Sequence, residues 1–181
     1  MRDLITVIPP SDKTVDYSLS ATWYSEANGT QLNDISTYIR SVARTGGFTN
    51  KEILWTIPKE RAVRGKVKSK KLVRPIGYSE YKDDGVKKTC WLAAQTRATN
   101  DYSDKKLMVH CYNRRPLVPV SSYLQDYGHP VDLQVFATSE LLQWAWRGCI
   151  RKGEPMTLAI GSKRMHNFFM QWLNDEGESN D

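Results

Sequence analysis

Three residues spaced four apart, Gln143, Arg147 and Arg151, stand at the edge of the apolar stretch SELLQWAWRGCIR. An arginine is always charged and offers a planar fork of donors that matches phosphate oxygens. On one helix from Ser139 to Arg151, this spacing stacks the three heads along one inclined ridge. Upstream, Thr96, Arg97, Thr99 and Asn100 form a polar run of hydroxyl, amide and guanidinium donors suited to phosphate contacts. A third group is the basic run from Lys59 to Arg74. It holds eight cations, among them Lys66, Lys68, Lys70 and Lys71, against the single acid Glu60. Such density suits a nucleic-acid backbone, and Tyr78 and Tyr81 just beyond it are placed to stack on bases. A solvated ridge, a plain turn and a solvated basic loop are the competing readings of the three groups.

Other chemistries lack their residues. Cys90, Cys111 and Cys149 are widely spaced in apolar surroundings, which predicts buried thiols and neither a disulfide framework nor a zinc site. His110, His129 and His166 have no ligand spacing, so no metal is expected. No GxxxxGK[ST] loop and no acid pair after a strand is present to cradle a triphosphate and hold Mg²⁺.

The elements that must position these residues follow from local pattern. Asn33-Asp34 predicts the cap of a helix carrying Ile35, Ile39 and Val42 and stopped by Gly46-Gly47. Strands are expected at Glu52 to Ile57, Thr89 to Ala94, Leu107 to Tyr112 and Met156 to Ile160. On the helix from Ser139, the apolar half comprises Leu141, Leu142, Ala145, Trp146, Cys149 and Ile150. A last helix from Ser162 to Leu173 carries Met165, Phe168, Phe169 and Trp172. Alternating strands and helices predict an α/β fold with a mostly parallel sheet flanked by helices. With 181 residues, a single domain over 1–173 is expected, its basic loop at 59–74, followed by an acidic flexible tail at 174–181. A charge of +6 favours a polyanionic partner. No apolar run is long enough to cross a membrane. The opening MRDLITVIPP is cut off by Pro9-Pro10 before it makes a secretory signal, so a cytoplasmic location is expected.

Taken in order, TCWLAAQTRATNDYSDKKLMVHCYN and SELLQWAWRGCIR resemble the second RecA-like lobe of superfamily two nucleic-acid helicases. The run ELLQWAWRGCIRKGEPMTLAIGSKRMHNFFMQWL is similar to the C-terminal end of helicase-like proteins of phages and mobile elements. The resemblance implies a single RecA-like domain in which Thr96, Arg97, Thr99 and Asn100 touch nucleic acid. Gln143 would position nucleotide or water, and Arg147 and Arg151 would stabilise charge on the transferred phosphoryl group. Trp146 stands where the family has a glycine, and the second arginine arrives one residue late. The implied partners are nucleic acid and a first helicase lobe or other protein. ATP and Mg²⁺ would be held only in complex with that lobe, and this chain alone would bind no cofactor. Two other functions fit the same residues: a non-catalytic module that binds nucleic acid or protein, and a phage-type antagonist of a host nucleic-acid enzyme.

The isolated chain is expected to hydrolyse no ATP above background in a steady-state assay, with or without single-stranded nucleic acid. Turnover that copurifies with the protein and disappears in Arg147→Ala would reveal a complete active site.

Overall fold

The protein, described by a computed structural model over residues 2–62, 71–96 and 101–178, is built on four parallel strands. They are β1 (Ile5–Ile8), β2 (Ile53–Thr56), β5 (Leu107–His110) and β6 (Met156–Ile160), in the spatial order β1-β6-β5-β2. In register, Ile5 faces Met156, Leu107 faces Thr157 and Ile53 faces Leu107. Every residue of β2 and β5 is buried, because helices cover both faces of the sheet. The pleat divides the strand side chains. Ile53, Trp55, Leu107 and Val109 pack with α2 (Gly29–Thr45), while Leu54, Met108, Leu158 and Ile160 pack with α5 (Leu133–Ala145) and α6 (Lys163–Glu178). The result is the three-layer α/β arrangement expected from the sequence.

Local chemistry moves several boundaries. Helix α2 starts at Gly29, since Asn28 accepts hydrogen bonds from the Thr30 and Gln31 amides and the Gln31 side chain accepts from the Asn28 amide. That reciprocal cap outcompetes Asn33-Asp34, which lies inside the helix. The expected strand at Thr89 to Ala94 is divided. Its first residue ends a hairpin, β3 (Glu80–Asp83) with β4 (Val86–Thr89), turned by Asp84 and Gly85 at φ 47° and 80°. Its middle joins the edge of β2 through one bridge: Trp55 donates to the Cys90 carbonyl at 2.8 Å and Leu92 donates to the Trp55 carbonyl at 3.0 Å. Helix α6 runs to Glu178, past the expected boundary at 173, each added residue contributing one more backbone hydrogen bond.

The largest change concerns the helix expected from Ser139 to Arg151. Asp132 caps α5, accepting from the Gln134 and Val135 amides, so the helix starts earlier. It ends at Ala145, and a separate 3₁₀ turn follows over Cys149–Lys152. Gly148 separates them in an extended conformation. A Cβ there would meet the Lys105 carbonyl oxygen at 2.9 Å and Met156 Sδ at 3.0 Å, so only glycine lets the chain press this closely on the sheet. The contact brings the Cys149 amide to the Lys105 carbonyl at 2.9 Å. The expected apolar face is thereby broken. Trp144 is fully buried, whereas Trp146 is half-buried and packs edge-on to Trp172 at 6.3 Å.

Beneath α5 lies a group of buried polar atoms. Thr56 and His110 are cross-strand neighbours on the β2–β5 face, and the His110 ring meets Trp144 edge-on at 5.4 Å. Thr56 Oγ1, both His110 ring nitrogens, Thr138 Oγ1 and Trp144 Nε1 have no hydrogen-bond partner among the described residues. Burial, aided by the nearby Arg114 charge, pushes His110 down to a pKa of about 3.

Trp144→Ala is expected to cost about 3–5 kcal/mol in urea denaturation, and Trp146→Ala markedly less. Because His110 is held neutral while an unfolded histidine titrates near 6.5, the unfolded state binds more protons between those values. Stability should therefore be full above about pH 6.5 and fall toward pH 3, by at most about 1.4 kcal/mol per pH unit from this one group. Urea titrations of His110→Leu across the same range should show a shallower loss.

Candidate functional site

In an open parallel sheet, crossovers bring the carboxyl ends of the strands to one edge, where loops and helix N-termini form a crevice. Here β5 leaves through Cys111, Tyr112 and Asn113, and β6 through Gly161 and Ser162. The two exits pack closely enough that a Cβ on Gly161 would meet Cys111 Sγ at 2.8 Å. Asn113 is fixed by its amide on the Leu19 carbonyl at 2.9 Å and its side chain on the Ser18 carbonyl at 3.0 Å. Ser162 starts α6, its hydroxyl accepting from the Met165 amide at 3.4 Å and its carbonyl from the His166 amide at 2.8 Å.

Between these exits lies a cleft of about 420 Å³, lined by Tyr17, Ser18, Asn113, Ser162, Lys163 and Arg164, with Asn167 and Phe168 completing the wall. Arg164 is held by neutral oxygens only. It donates to Asn113 Oδ1 at 2.8 Å, the Arg114 carbonyl at 3.1 Å and the Leu133 carbonyl at 3.3 Å, and it lies over the Phe168 ring at 4.7 Å. Partial burial, then the charge of Arg115, lower its pKa. Among the described residues no carboxylate pairs with Arg115, Lys163 or Arg164, and the first two are exposed. Arg114 is different, for Glu140 takes its charge at 2.8 Å. On the far wall Tyr17 stacks on Trp23 with ring centres 5.1 Å apart and donates to Asp34 at 2.8 Å. Lys163 and Arg164 therefore present two cations without a carboxylate beside the positive end of a 16-residue helix, and Arg115, on the wall of the adjoining cleft, lies near enough for its charge to act on Arg164. Such an edge has the electrostatics that suit an anion. Among the described residues no three His, Cys, Asp or Glu side chains converge on a metal position. The three thiols are buried and unreactive, those of Cys90 and Cys111 pushed up to about 12 by desolvation.

The residues singled out from sequence lie elsewhere. Gln143 is exposed on the last turn of α5. Arg147 follows the helix end, 9% exposed, with one terminal nitrogen unpartnered among the described residues and its pKa lowered by burial. Arg151 is exposed on the 3₁₀ turn. The break at Gly148 dissolves the expected ridge and sets this segment against Lys105 and Met156, at the amino ends of β5 and β6. Thr96, half-buried, follows Gln95, which lines a second cleft beyond the carboxyl end of β5. Thr96 and Arg151 thus sit toward opposite ends of the strands. Arg97, Thr99 and Asn100 lie outside the described residues, as do Lys66, Lys68 and Lys70, while Lys71 is exposed. Within the basic run Arg61 is buried at 6% exposure. Its guanidinium donates to the carbonyls of Tyr24, Ser25 and Lys71 and so closes the end of α1 (Ala21–Glu26).

Sequence reasoning did not single out Asn113, Arg115, Lys163 and Arg164. Gly161-Ser162 after the apolar strand Met156–Ile160 was the available signal, a strand running into a capped helix with two cations in its first turn.

No solved structure matches the chain. It is 28% identical over 163 residues to an SPbeta prophage-derived uncharacterized protein, YonV, of Bacillus subtilis (strain 168). That match covers 88% of this chain and 35% of the relative, so the chain spans about a third of the relative's length. A family model described as the YonV C-terminal Rossmann-like domain matches residues 1–173, in keeping with the parallel sheet and its covered faces. The chain belongs to the family of YonV C-terminal Rossmann-like domains.

Proposed function

We propose that this chain is a non-catalytic nucleic-acid-binding module that seats a phosphodiester backbone in the cleft at the carboxyl edge of its sheet. The observation that carries this reading is the pair Lys163 and Arg164, without a carboxylate, in the cleft at the start of α6, with Arg115 near Arg164 on the wall of the adjoining cleft. A guanidinium tied only to neutral oxygens keeps its full charge for an incoming anion, and the helix terminus adds to the potential. The stacked Tyr17 and Trp23 give unpaired bases an aromatic surface beside the phosphate positions. The net charge of +6 favours the encounter.

A second reading comes from the resemblance to a helicase second lobe, in which Arg147 and Arg151 would act on nucleotide held by a first lobe on another chain. The parallel sheet with helices on both faces supports it. The burial of Arg147 weighs against it, since a finger must reach across to its nucleotide. The binding-module reading is therefore preferred.

Arg115→Ala combined with Lys163→Ala tests the preferred reading. Both side chains are exposed, so the melting temperature should change little. Fluorescence anisotropy with a labelled oligonucleotide across a salt series should show weaker binding, with the log K against log salt slope flattened by about 2 on duplex and less on single strands. An unchanged slope would assign binding to another surface.

A further inference from the structure

Asn113 ties two walls of the cleft together. Its side-chain amide donates to the Ser18 carbonyl at 3.0 Å, and its Oδ1 accepts from Arg164 at 2.8 Å. Because this side chain is buried, the loop that carries Tyr17 is held firmly against the first turn of α6. Tyr17 is itself fixed, its ring stacked on Trp23 and its hydroxyl donating to Asp34 at 2.8 Å. The chain leaving β1 goes to the face covered by α2, and the chain leaving β6 goes to the opposite face as α6. The cleft therefore opens where the crossovers part, the position at which open parallel sheets hold their ligands.

We infer that the cleft selects an unpaired strand, with a phosphate at Lys163 and Arg164 and the adjoining base laid on Tyr17. This rests on the phosphodiester reading above and names the form of nucleic acid that the cleft takes. A base inside a duplex has both faces covered by its neighbours, so a fixed ring beside the cations serves only a base with a free face. At about 420 Å³ the cleft lies near the small end of the range for pockets that hold one compact ligand, a size that suits a single nucleotide unit. A duplex presents two backbones across a groove about 6 or about 12 Å wide and so asks for cations on two lines. Through Asp34, Tyr17 borders a separate cleft whose lining includes Asp12 and Asp34, with Lys13 as its one cation, so a second backbone finds no matching row there. On the other flank, Asn113 also lines the cleft that holds Arg115 and the start of α4 (Val118–Asp126), which extends one path of positive charge along the sheet edge.

Fluorescence anisotropy of the full chain with a labelled, unstructured deoxyoligonucleotide, free and annealed to its complement, tests this at one salt concentration. The single strand should bind more tightly than the duplex. Tyr17→Leu should weaken single-strand binding about tenfold, the loss expected when one base is deprived of its stacking partner, and should change duplex binding little. Tyr17→Phe keeps the ring and gives up only the hydrogen bond to Asp34, so it should bind as the unsubstituted chain does. Equal or tighter binding of the duplex, a comparison that needs no variant, overturns the inference and leaves the phosphodiester reading standing. A Tyr17→Leu chain that melts cooperatively and holds the single strand unchanged overturns it in the same way. Binding of neither form overturns both.

Discussion

A parallel pair of strands cannot be closed by a tight turn, and this constraint organises the molecule. After His110 the chain has to return the full length of the sheet before it starts β6 at Met156. Helices α4 and α5 make that journey, and α5 covers the face of the sheet that would otherwise be wet. The same constraint gathers the carboxyl ends of β5 and β6 on one edge, and the loops that leave them, with the first turn of α6, supply every polar side chain of the cleft except those of Tyr17, Ser18 and Asn167. The crossover also fixes where α5 must stop. Its exit has to press on the amino ends of β5 and β6, and Gly148 makes that approach possible.

The fold sorts its cations by the oxygens within their reach. Arg61 is spent on the carbonyl end of α1. Lys105, 1% exposed, donates to the Lys51 carbonyl and the Tyr81 hydroxyl, pinning the β3–β4 hairpin to the sheet. Arg114 is neutralised by Glu140. The formal charge counts these equally with Lys163 and Arg164, which line an open cleft with no acid among its lining residues. Net charge therefore does not tell which cations remain at the surface, since that depends on which ones the interior has already used.

Several elements are legible in the residues alone. Ile53-Leu54-Trp55-Thr56, Leu107 to His110 and Met156 to Ile160 are β-branched or apolar runs bounded by breakers, and each is a strand. Ile35, Ile39 and Val42 recur at helical spacing and face the core. The turn at Asp84-Gly85 and the cap at Asn28 were present in the same local code and were outweighed by neighbouring signals, an apolar run at Thr89 to Ala94 and a second polar pair at Asn33-Asp34. The spacing of Gln143, Arg147 and Arg151 suggested a ridge because periodicity assumes an unbroken helix. The break at Gly148 is set by Lys105 and Met156, partners 43 and 8 residues away in sequence.

The sequence by itself determined the class of the fold and three of the four strands of its sheet, β1 being absent from that reading. Hydrophobic period and composition are local properties, and each residue carries its share of them wherever the chain goes. Only the tertiary structure decided that Arg147 is buried, that Arg61 is a structural clamp and that Asn113 and Arg164 meet at one cleft. Asn113 and Arg164 are 51 residues apart, and their 2.8 Å hydrogen bond exists because parallel pairing of β5 with β6 delivers both strand exits to the same edge. A contact of that kind belongs to the topology, and no window of sequence contains it.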